Sequence, residues 1–501
     1  MATYQQTYDA SLENPEAFWG EQARLVDWFV RPRTILDRST PAFCRWFGDG
    51  TLNTCFNAVD RHVIRGRADQ AALIYDSPLT GTVQTLTYSR LLERVAAFAG
   101  VLRSCGVGRG DHVMIWMPTM PEAVIAMLAA ARLGAVHAVV PDRSSVAALA
   151  GSVDDTRPKV VVTASCGGDA SGPVARKPLL DEALELARHA VDVVIVKQRP
   201  QLPADLVTGR DIDFDAALRV GMRDPAPCVP VAGDDPLYVL QPATDPGDGP
   251  EGVVRDNGGH AVALTWAATN VFAISPGQVW LTAAELEGVV GHSMLVYAPL
   301  FAGATTVLYE ASSAGVMDAG VLRRLVTDHA AEGLITTHAV LRTVGNEDSE
   351  GEAIRAGQLP TLRHLFLAVS RPDPDSHDWA SRVVDVPVID TWWQTTSGSP
   401  VVANPWGLEP LPVKRGSASK PMPGFDLRIL DERGAEVPAG RAGSICLRVP
   451  LPPGAMSALT GHDEHVDAAH LPSHRGYYET GSHGYRDEDD YVFVTGRIPL
   501  L

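Results

Sequence analysis

The sequence predicts an α/β fold in which parallel β-sheets are covered by helices on both faces. Short, continuously apolar segments alternate with segments whose apolar residues recur at helical spacing. The segments 112–117 and 159–165 are of the first kind, and the segment 121–134 is of the second. Strands that are apolar on both faces are typical of parallel sheets buried between helices. The 501 residues, 45% of them hydrophobic, are enough to form more than one such unit.

The predicted elements fall into consecutive stretches. Residues 1–75, rich in Trp, Phe and Arg, are expected to form a helical extension packed on the main body. Residues 76–407 carry two rounds of strand–helix alternation, which predict two α/β subdomains. Residues 408–497 alternate polar and apolar side chains around turns such as Glu432–Gly434, which predicts a small β subdomain. Residues 498–501 form a short tail.

Composition excludes several classes of partner. The formal charge is −18 at pH 7 and the pI is about 5.2, so neither nucleic acid nor an anionic membrane is an expected partner. The N-terminus is polar and acidic, unlike a signal peptide, and the longest apolar stretch, 289–309, is interrupted by His292 and Pro299. The six cysteines are scattered without a CxxC pair. We therefore expect a cytoplasmic protein.

Signature motifs of several enzyme classes do not occur in the sequence. It contains no GxSxG nucleophile elbow, no Walker-type phosphate loop and no HExxH zinc motif. Four histidines and several carboxylates lie between 462 and 474, a composition that suits a transition metal. Because their spacing matches no helix face, we interpret this segment as a solvated polar loop and predict no metal site.

A polar and aromatic segment directly follows the apolar residues of the predicted strand 386–390. Open α/β sheets bind ligands at the carboxyl ends of their strands, so we predict a ligand site here. Two neighbouring indoles on one strand should not both face one core, so at least one is expected to line a pocket. The predicted ligand-binding residues of this segment are Asp390, Thr391, Trp392, Trp393, Gln394 and Thr395.

A set of short motifs is distributed along nearly the whole chain. They are LNTCFNAVDRH at 52–62, ALIYDSP at 72–78, VVRDNGGHAVAL at 253–264, VVGHS at 289–293, WWQT at 392–395, NP at 404–405 and GLEPLPV at 407–413. Together they resemble the AMP-forming acyl-CoA synthetases, specifically the acetyl/propionyl-CoA synthetase branch of the adenylate-forming superfamily. The resemblance implies the large domain of such a synthetase, with two helix-flanked sheets and a small β subdomain. It also implies a family reaction that uses ATP, Mg²⁺ and CoA on acetate or propionate.

The resemblance also shows where this chain departs from the family. The family's phosphate loop is rich in hydroxyls and carries a Lys, whereas the matching stretch 241–252 contains Pro242, Pro246 and, at the Lys position, Glu251. An acidic charge about 4 Å from a phosphate costs about 4 kcal/mol at an intermediate dielectric. The Glu that helps the family to hold Mg²⁺ is matched by Thr396.

Further departures concern the ribose, the adenine and the CoA. The ribose-binding Asp of the family is matched by Ser482. The family's C-terminal catalytic domain follows a Gly-Arg pair, whereas four residues follow Gly496–Arg497 here, so we expect that domain to be absent. Arg497 itself is carried over as a ligand-binding residue. The stretches 367–371 and 141–145 replace segments that resemble the family's adenine contact and a turn near its CoA site.

These departures lead to three hypotheses. The first is a pseudoenzyme that forms no acyl adenylates, needs no cofactor, and binds a small acyl or acyl-thioester ligand or a protein partner. The second is an ATP-independent acyl or amide transfer enzyme, with His292, Ser482 and His483 as candidate catalytic groups if they converge. The third is a divergent working acetyl/propionyl-CoA synthetase. The sequence alone assigns none of these three residues a catalytic role.

Overall fold

Two large sheets and one small antiparallel sheet organise the molecule. The structure is a computed structural model. Most strands of the large sheets run parallel and helices flank them. The predicted α/β fold is therefore confirmed. The structure describes residues 2–39, 44–169, 172–241, 252–311, 317–356, 359–369, 371–459 and 476–497.

The first large sheet has eight strands. Its first six strands pair in parallel, and the last two add to the edge in antiparallel orientation. All five side chains of Val160–Ala164 are buried, which explains why this strand is apolar on both faces. In spatial order the strands are Asp211–Asp213, Val193–Lys197, Val160–Ala164, His112–Trp116, Val136–Val139, Pro236–Leu240, Val253–Asp256 and Ala458–Leu459.

The second large sheet has nine strands, with a parallel centre and antiparallel edges. Its strand Ala71–Ser77 runs across the boundary that the sequence analysis places at 75/76. In spatial order the strands are Lys420–Pro421, Val402–Ala403, Val388–Trp392, His364–Val369, Gly333–Thr337, Val279–Ala283, Thr305–Tyr309, Ala71–Ser77 and Thr82–Thr87.

The helices follow the boundaries that their sequences encode. Pro121 begins the helix Pro121–Leu133 at a position that needs no amide donor, and Gly134 ends it at a φ of 70°. The described α-helices are Tyr4–Glu13, Pro15–Gln22, Tyr88–Ser104, Pro121–Leu133, Val146–Thr156, Lys177–Leu186, Phe214–Gly221, Asn257–Asn270, Ala298–Ala302, Ala319–Asp328, His338–Glu347, Glu352–Arg355 and Pro374–Val383. None of the described helices has the length and apolar character needed to cross a bilayer.

The small sheet lies in the C-terminal part of the chain. Its strands, in order, are Leu427–Leu430, Gly443–Arg448, Tyr477–Arg486 and Val492–Arg497, all antiparallel. Two hydrogen bonds tie it to the loop after Trp393. The Gln394 amide donates to the carbonyl of Thr480 (2.6 Å), and the Tyr478 hydroxyl donates to Thr396 Oγ1 (2.9 Å). The small sheet therefore closes over one end of the second large sheet.

The two large sheets share the principal apolar core and a buried ion pair. Val113 and Ile115 of the first sheet lie in the same buried cluster as Trp280 and Phe366 of the second. The guanidinium of Arg199, just after a strand of the first sheet, donates to both carboxylate oxygens of Glu310 in the second, at 2.7 and 2.9 Å.

Candidate functional site

A cleft opens at the carboxyl ends of two neighbouring strands of the second sheet, Gly333–Thr337 and His364–Val369. Its volume is about 610 Å³. The start of the helix His338–Glu347 forms one wall, and the segment after the neighbouring strand forms the other. This is the position at which open α/β sheets bind ligands. The lining residues are Thr337, His338, Ala339, Arg342, Ala368, Arg371, Pro372 and Asp373.

The cleft is basic on both walls. Arg342 pairs with Asp373 at 2.9 Å, while Arg371 forms no ion pair with any side chain in the described ranges. Thr337 caps the helix by accepting the amide of Val340, so the first helical amides point toward the cleft. A helix N-terminus and guanidinium groups both favour an anionic ligand.

A buried carboxylate lies beneath this cleft. Asp390 is 2% exposed, and its two oxygens lie 2.9 Å from His338 Nε2 and 2.9 Å from His377 Nδ1. Burial raises the pKa of Asp390, but the contacts with His338 and His377 outweigh burial and hold that pKa below its usual value. The Asp390 carboxylate therefore orients His338, whose Nδ1 has no hydrogen-bond partner within the described part of the chain.

The two indoles after this strand are buried. Trp392 is 1% exposed and Trp393 is 5% exposed, and both belong to the principal apolar cluster. Trp393 stacks on Phe272, and its Nε1 donates to Thr391 Oγ1 at 2.8 Å. The argument that two neighbouring indoles cannot share one core was therefore wrong. Trp393 lies beyond the end of the strand, where the alternation of faces no longer holds.

The remaining predicted contacts lie around the loop after Trp393. Thr391 is buried and donates to the carbonyl of Leu367, whereas Thr395 is exposed. Arg255, fully buried, donates to the carbonyls of Thr395 and Thr396 and fixes this loop. A ligand contact by Thr391, Trp392, Trp393, Gln394 or Thr395 stays a prediction.

The members of the candidate catalytic trio lie on two different elements. His292 is buried and stacks on His137 of the first sheet, with ring centroids 5.8 Å apart. Burial lowers the pKa of His292 to about 4, so the ring is neutral at pH 7. Ser482 and His483 are neighbours on a strand of the small sheet and point to opposite faces. No hydrogen bond links His292 to either residue in the described ranges, and a catalytic role for the three residues stays a prediction.

Other predicted features can be located only in part. The backbone of Arg497 pairs with Ser482 in the small sheet, and its ligand-binding role stays a prediction. The altered phosphate loop, apart from Gln241 and Gly252, and the histidine-rich segment 462–474 lie outside the described residues.

Sequence reasoning missed His338, His377 and Arg342. The sequence did contain a signal for His338, because this residue comes directly after an apolar strand that ends at Thr337, where ligand-binding residues are expected. His377 lies on the helix Pro374–Val383, and only the packing of that helix brings its ring to Asp390.

The donor set for Mg²⁺ and ribose departs from the family's chemistry. At the two positions where the resemblance places carboxylates, this chain has hydroxyls. The Thr396 hydroxyl accepts a hydrogen bond from Tyr478, and Ser482 is 5% exposed within its sheet. Because protein-bound Mg²⁺ is held through carboxylates, these residues do not fit the ion in the family's manner.

Comparison with known proteins places the chain among the AMP-binding enzymes. The family described as AMP-binding enzyme matches residues 60–457, and the family described as acetyl-coenzyme A synthetase N-terminus matches residues 4–58. The chain therefore belongs to the acetyl/propionyl-CoA synthetase family.

Three relatives illustrate the similarity. An uncharacterized protein of Pseudomonas aeruginosa is 43% identical over 99% of this chain and 78% of its own length. Human acyl-CoA synthetase short-chain family member 3, mitochondrial, is 39% identical over 99% of this chain and 72% of its own length. The propionate–CoA ligase of Escherichia coli is 37% identical over 99% and 78%, respectively. Each alignment spans nearly the whole of this chain.

Proposed function

We propose that this chain is an acyl-CoA synthetase-like protein that forms no acyl adenylates and binds a preformed acyl compound. The observation that carries the proposal is the exchange of two carboxylates for hydroxyls at Thr396 and Ser482. The Thr396 hydroxyl is engaged by Tyr478, and its loop is fixed by Arg255. On this proposal, the chain uses neither ATP nor Mg²⁺.

The charge of the cleft supports an anionic acyl ligand. Arg342, which pairs with Asp373, and Arg371 both line the cleft, and the helix that begins at His338 points its amides toward the cleft. An acyl thioester of CoA carries phosphates that such groups bind well. Binding of a protein partner and a cytoplasmic location stay predictions.

Calorimetry with the full chain tests the proposal. Propionyl-CoA and acetyl-CoA are expected to bind at micromolar concentration, and Mg·ATP is expected to show no binding below the millimolar range. Arg371→Ala should weaken acyl-CoA binding about tenfold, since one charge-assisted contact contributes about 1.5 kcal/mol. Arg24→Ala is the matched control, because Arg24 pairs with Glu21 on an exposed helix. Sub-millimolar binding of Mg·ATP would overturn the proposal.

A working short-chain acyl-CoA synthetase is the second candidate. The observation in its favour is the 37–39% identity to named synthetases and ligases over 99% of this chain. The same protein sample decides between the two. Release of pyrophosphate from ATP in the presence of propionate or acetate, dependent on Mg²⁺, establishes the second candidate and excludes the first.

A further inference from the structure

A separate polar cluster lies on elements that do not line the cleft. The Sγ atoms of Cys55 and Cys228 and a carboxylate oxygen of Asp60 all lie within 4.8 Å of one another. Cys55 is fully buried, Cys228 is half-buried, and both are free thiols. We propose that these three side chains form a binding site for a thiophilic divalent metal ion, of which Zn²⁺ is the representative.

The spacing of the three side chains suits tetrahedral coordination. Cys228 Sγ lies 3.8 Å from Asp60 Oδ2. In a tetrahedral zinc site with Zn–S of about 2.3 Å and Zn–O of about 2.1 Å, sulfur and oxygen ligands are roughly 3.6 Å apart. For this pair, a bound ion therefore requires a shift of only a few tenths of an ångström.

The backbone around the cluster is held in place before any ion binds. The side-chain amide of Asn53 donates to the carbonyls of Arg132 (3.1 Å) and Val229 (2.8 Å), beside the two cysteines in sequence and space. Arg132 Nε donates to the carbonyl of Ala226 at 2.7 Å, and the Val229 amide donates to the carbonyl of Arg132 at 2.8 Å. The segment that carries Cys228 is thus fixed against the helical turn that carries Cys55.

Arg132 sets the charge that the site accepts. Its guanidinium contacts both oxygens of Asp60, at 2.8 to 3.1 Å, and lies 3.6 Å from Cys55 Sγ. Because Arg132 already neutralises Asp60, two thiolates and one divalent cation leave the filled site without net charge. Such a balance is what a largely buried site requires.

Binding is an exchange of protons for a metal ion. When the ion binds, two S–H bonds break, two metal–sulfur bonds form, and two protons pass to water. A groove of about 420 Å³, bounded by Asp60, Arg132 and Pro227, lets the ion enter and supplies a water molecule as fourth ligand.

Titration of the reduced, metal-free full chain tests the site. Zn²⁺ is followed by calorimetry in buffers of different ionisation enthalpy, and Cd²⁺ by its ultraviolet thiolate-to-metal absorption. We expect one ion per chain, release of two protons per ion, and a rise of the melting temperature on adding Zn²⁺. Cys228→Ser should abolish the absorption band and weaken binding at least tenfold. The half-buried Cys105, outside the cluster, gives the control Cys105→Ser, which should bind as wild type.

Three outcomes would overturn the inference. Wild type and Cys228→Ser could bind Zn²⁺ equally well. Binding could release no protons, which would exclude thiolate ligands. Mass spectrometry could find a Cys55–Cys228 disulfide in protein that takes up no ion after reduction. The melting temperature of metal-free Cys228→Ser checks its fold, and Cys55→Ser, read in the same assays, provides a second variant.

Discussion

At two positions, Thr396 and Ser482, the side chains of this chain differ from those that its family resemblance implies. Both offer a hydroxyl where the family resemblance places a carboxylate, for Mg²⁺ at Thr396 and for the ribose at Ser482, and a hydroxyl carries no charge to hold Mg²⁺. Both residues have hydrogen-bonded surroundings, Thr396 in a turn and Ser482 in a strand. Thr396 is bound by Tyr478, and the amide of Ser482 donates to Thr480 Oγ1. Both substituted residues thus form hydrogen bonds within the fold.

Restoring the two carboxylates should restore part of the nucleotide affinity. The double variant Thr396→Glu, Ser482→Asp is expected to bind Mg·ATP about a hundredfold more tightly than wild type, because two charge-assisted contacts contribute about 1.5 kcal/mol each. Calorimetry with Mg·ATP and with ATP in excess EDTA measures the effect. The isosteric control Thr396→Gln, Ser482→Asn should not improve binding, and equal affinities for both double variants would contradict the prediction.

Asp256 makes stability depend on pH. It caps the helix Asn257–Asn270 by accepting the amide of His260, and burial raises its pKa to about 7. An unfolded Asp titrates near pH 3.9. Between about pH 4 and 7, therefore, the folded state retains a proton that the unfolded state has already released. The stability contributed by protonated Asp256 is therefore complete below about pH 4 and is lost as the pH rises through about 7.

The variant Asp256→Asn tests this sign. Asn preserves the cap and does not titrate, so the variant does not lose this stability as the pH rises. The difference in free energy of unfolding between the variant and wild type should therefore increase by about 2 kcal/mol from pH 5 to pH 8, in favour of the variant. Urea denaturation at the two pH values measures the change. Asp213→Asn, at the half-buried cap of Phe214–Gly221, controls for the loss of a carboxylate at a helix start. A pH-independent difference for Asp256→Asn would contradict the assignment.

Among the elements, two strands, one from each large sheet, are connected by the buried ion pair between Arg199 and Glu310 at their ends. Arg199 and Glu310 are each 3% exposed, and Glu310 also accepts hydrogen bonds from Tyr75 and Ser77. Tyr75 and Ser77 belong to the strand Ala71–Ser77, so one carboxylate connects two strands of the second sheet to the end of a strand of the first. Breaking such a network leaves a buried charge without its partner.

The variant Arg199→Met should lower the free energy of unfolding by about 3–5 kcal/mol, the usual cost of removing one partner from a buried ion pair. Urea denaturation measures the change. Arg24→Met is the control, because the Arg24–Glu21 pair is 67% and 58% exposed and should contribute less than about 1 kcal/mol. A decrease in the free energy of unfolding of less than about 1 kcal/mol for Arg199→Met would contradict the prediction and show that water reaches the ion pair.

At the scale of the whole molecule, one apolar core spans both large sheets. Ile115 of the first sheet is fully buried, Trp280 of the second is 1% exposed, and both belong to the principal cluster. We therefore expect the sheets to unfold together. Tryptophan fluorescence and far-ultraviolet circular dichroism should give the same urea midpoint. Two separated midpoints would show that the sheets are independent folding units.

Much of the fold could be predicted because its signals are local. The burial of Val160–Ala164 on both faces and the start of a helix at Pro121 follow from the chemistry of adjacent residues. The edge of the sheet was predicted as a ligand site from Asp390 and the residues after it, but none of those six residues lines the cleft, and their role stays a prediction. The short motifs indicated the family, which the comparisons confirm.

By itself, then, the sequence determined the α/β class, the family and the edge of the sheet at which a ligand site is expected. Tertiary structure alone decided that Trp393 is buried with Trp392 and that His292 stacks on His137 of the first sheet. It also decided that Cys55 meets Cys228. The physical reason is the distance along the sequence over which each signal acts. Periodicity reports how one element is buried against its surroundings, whereas the distance between residues far apart in sequence depends on how whole sheets and helices pack.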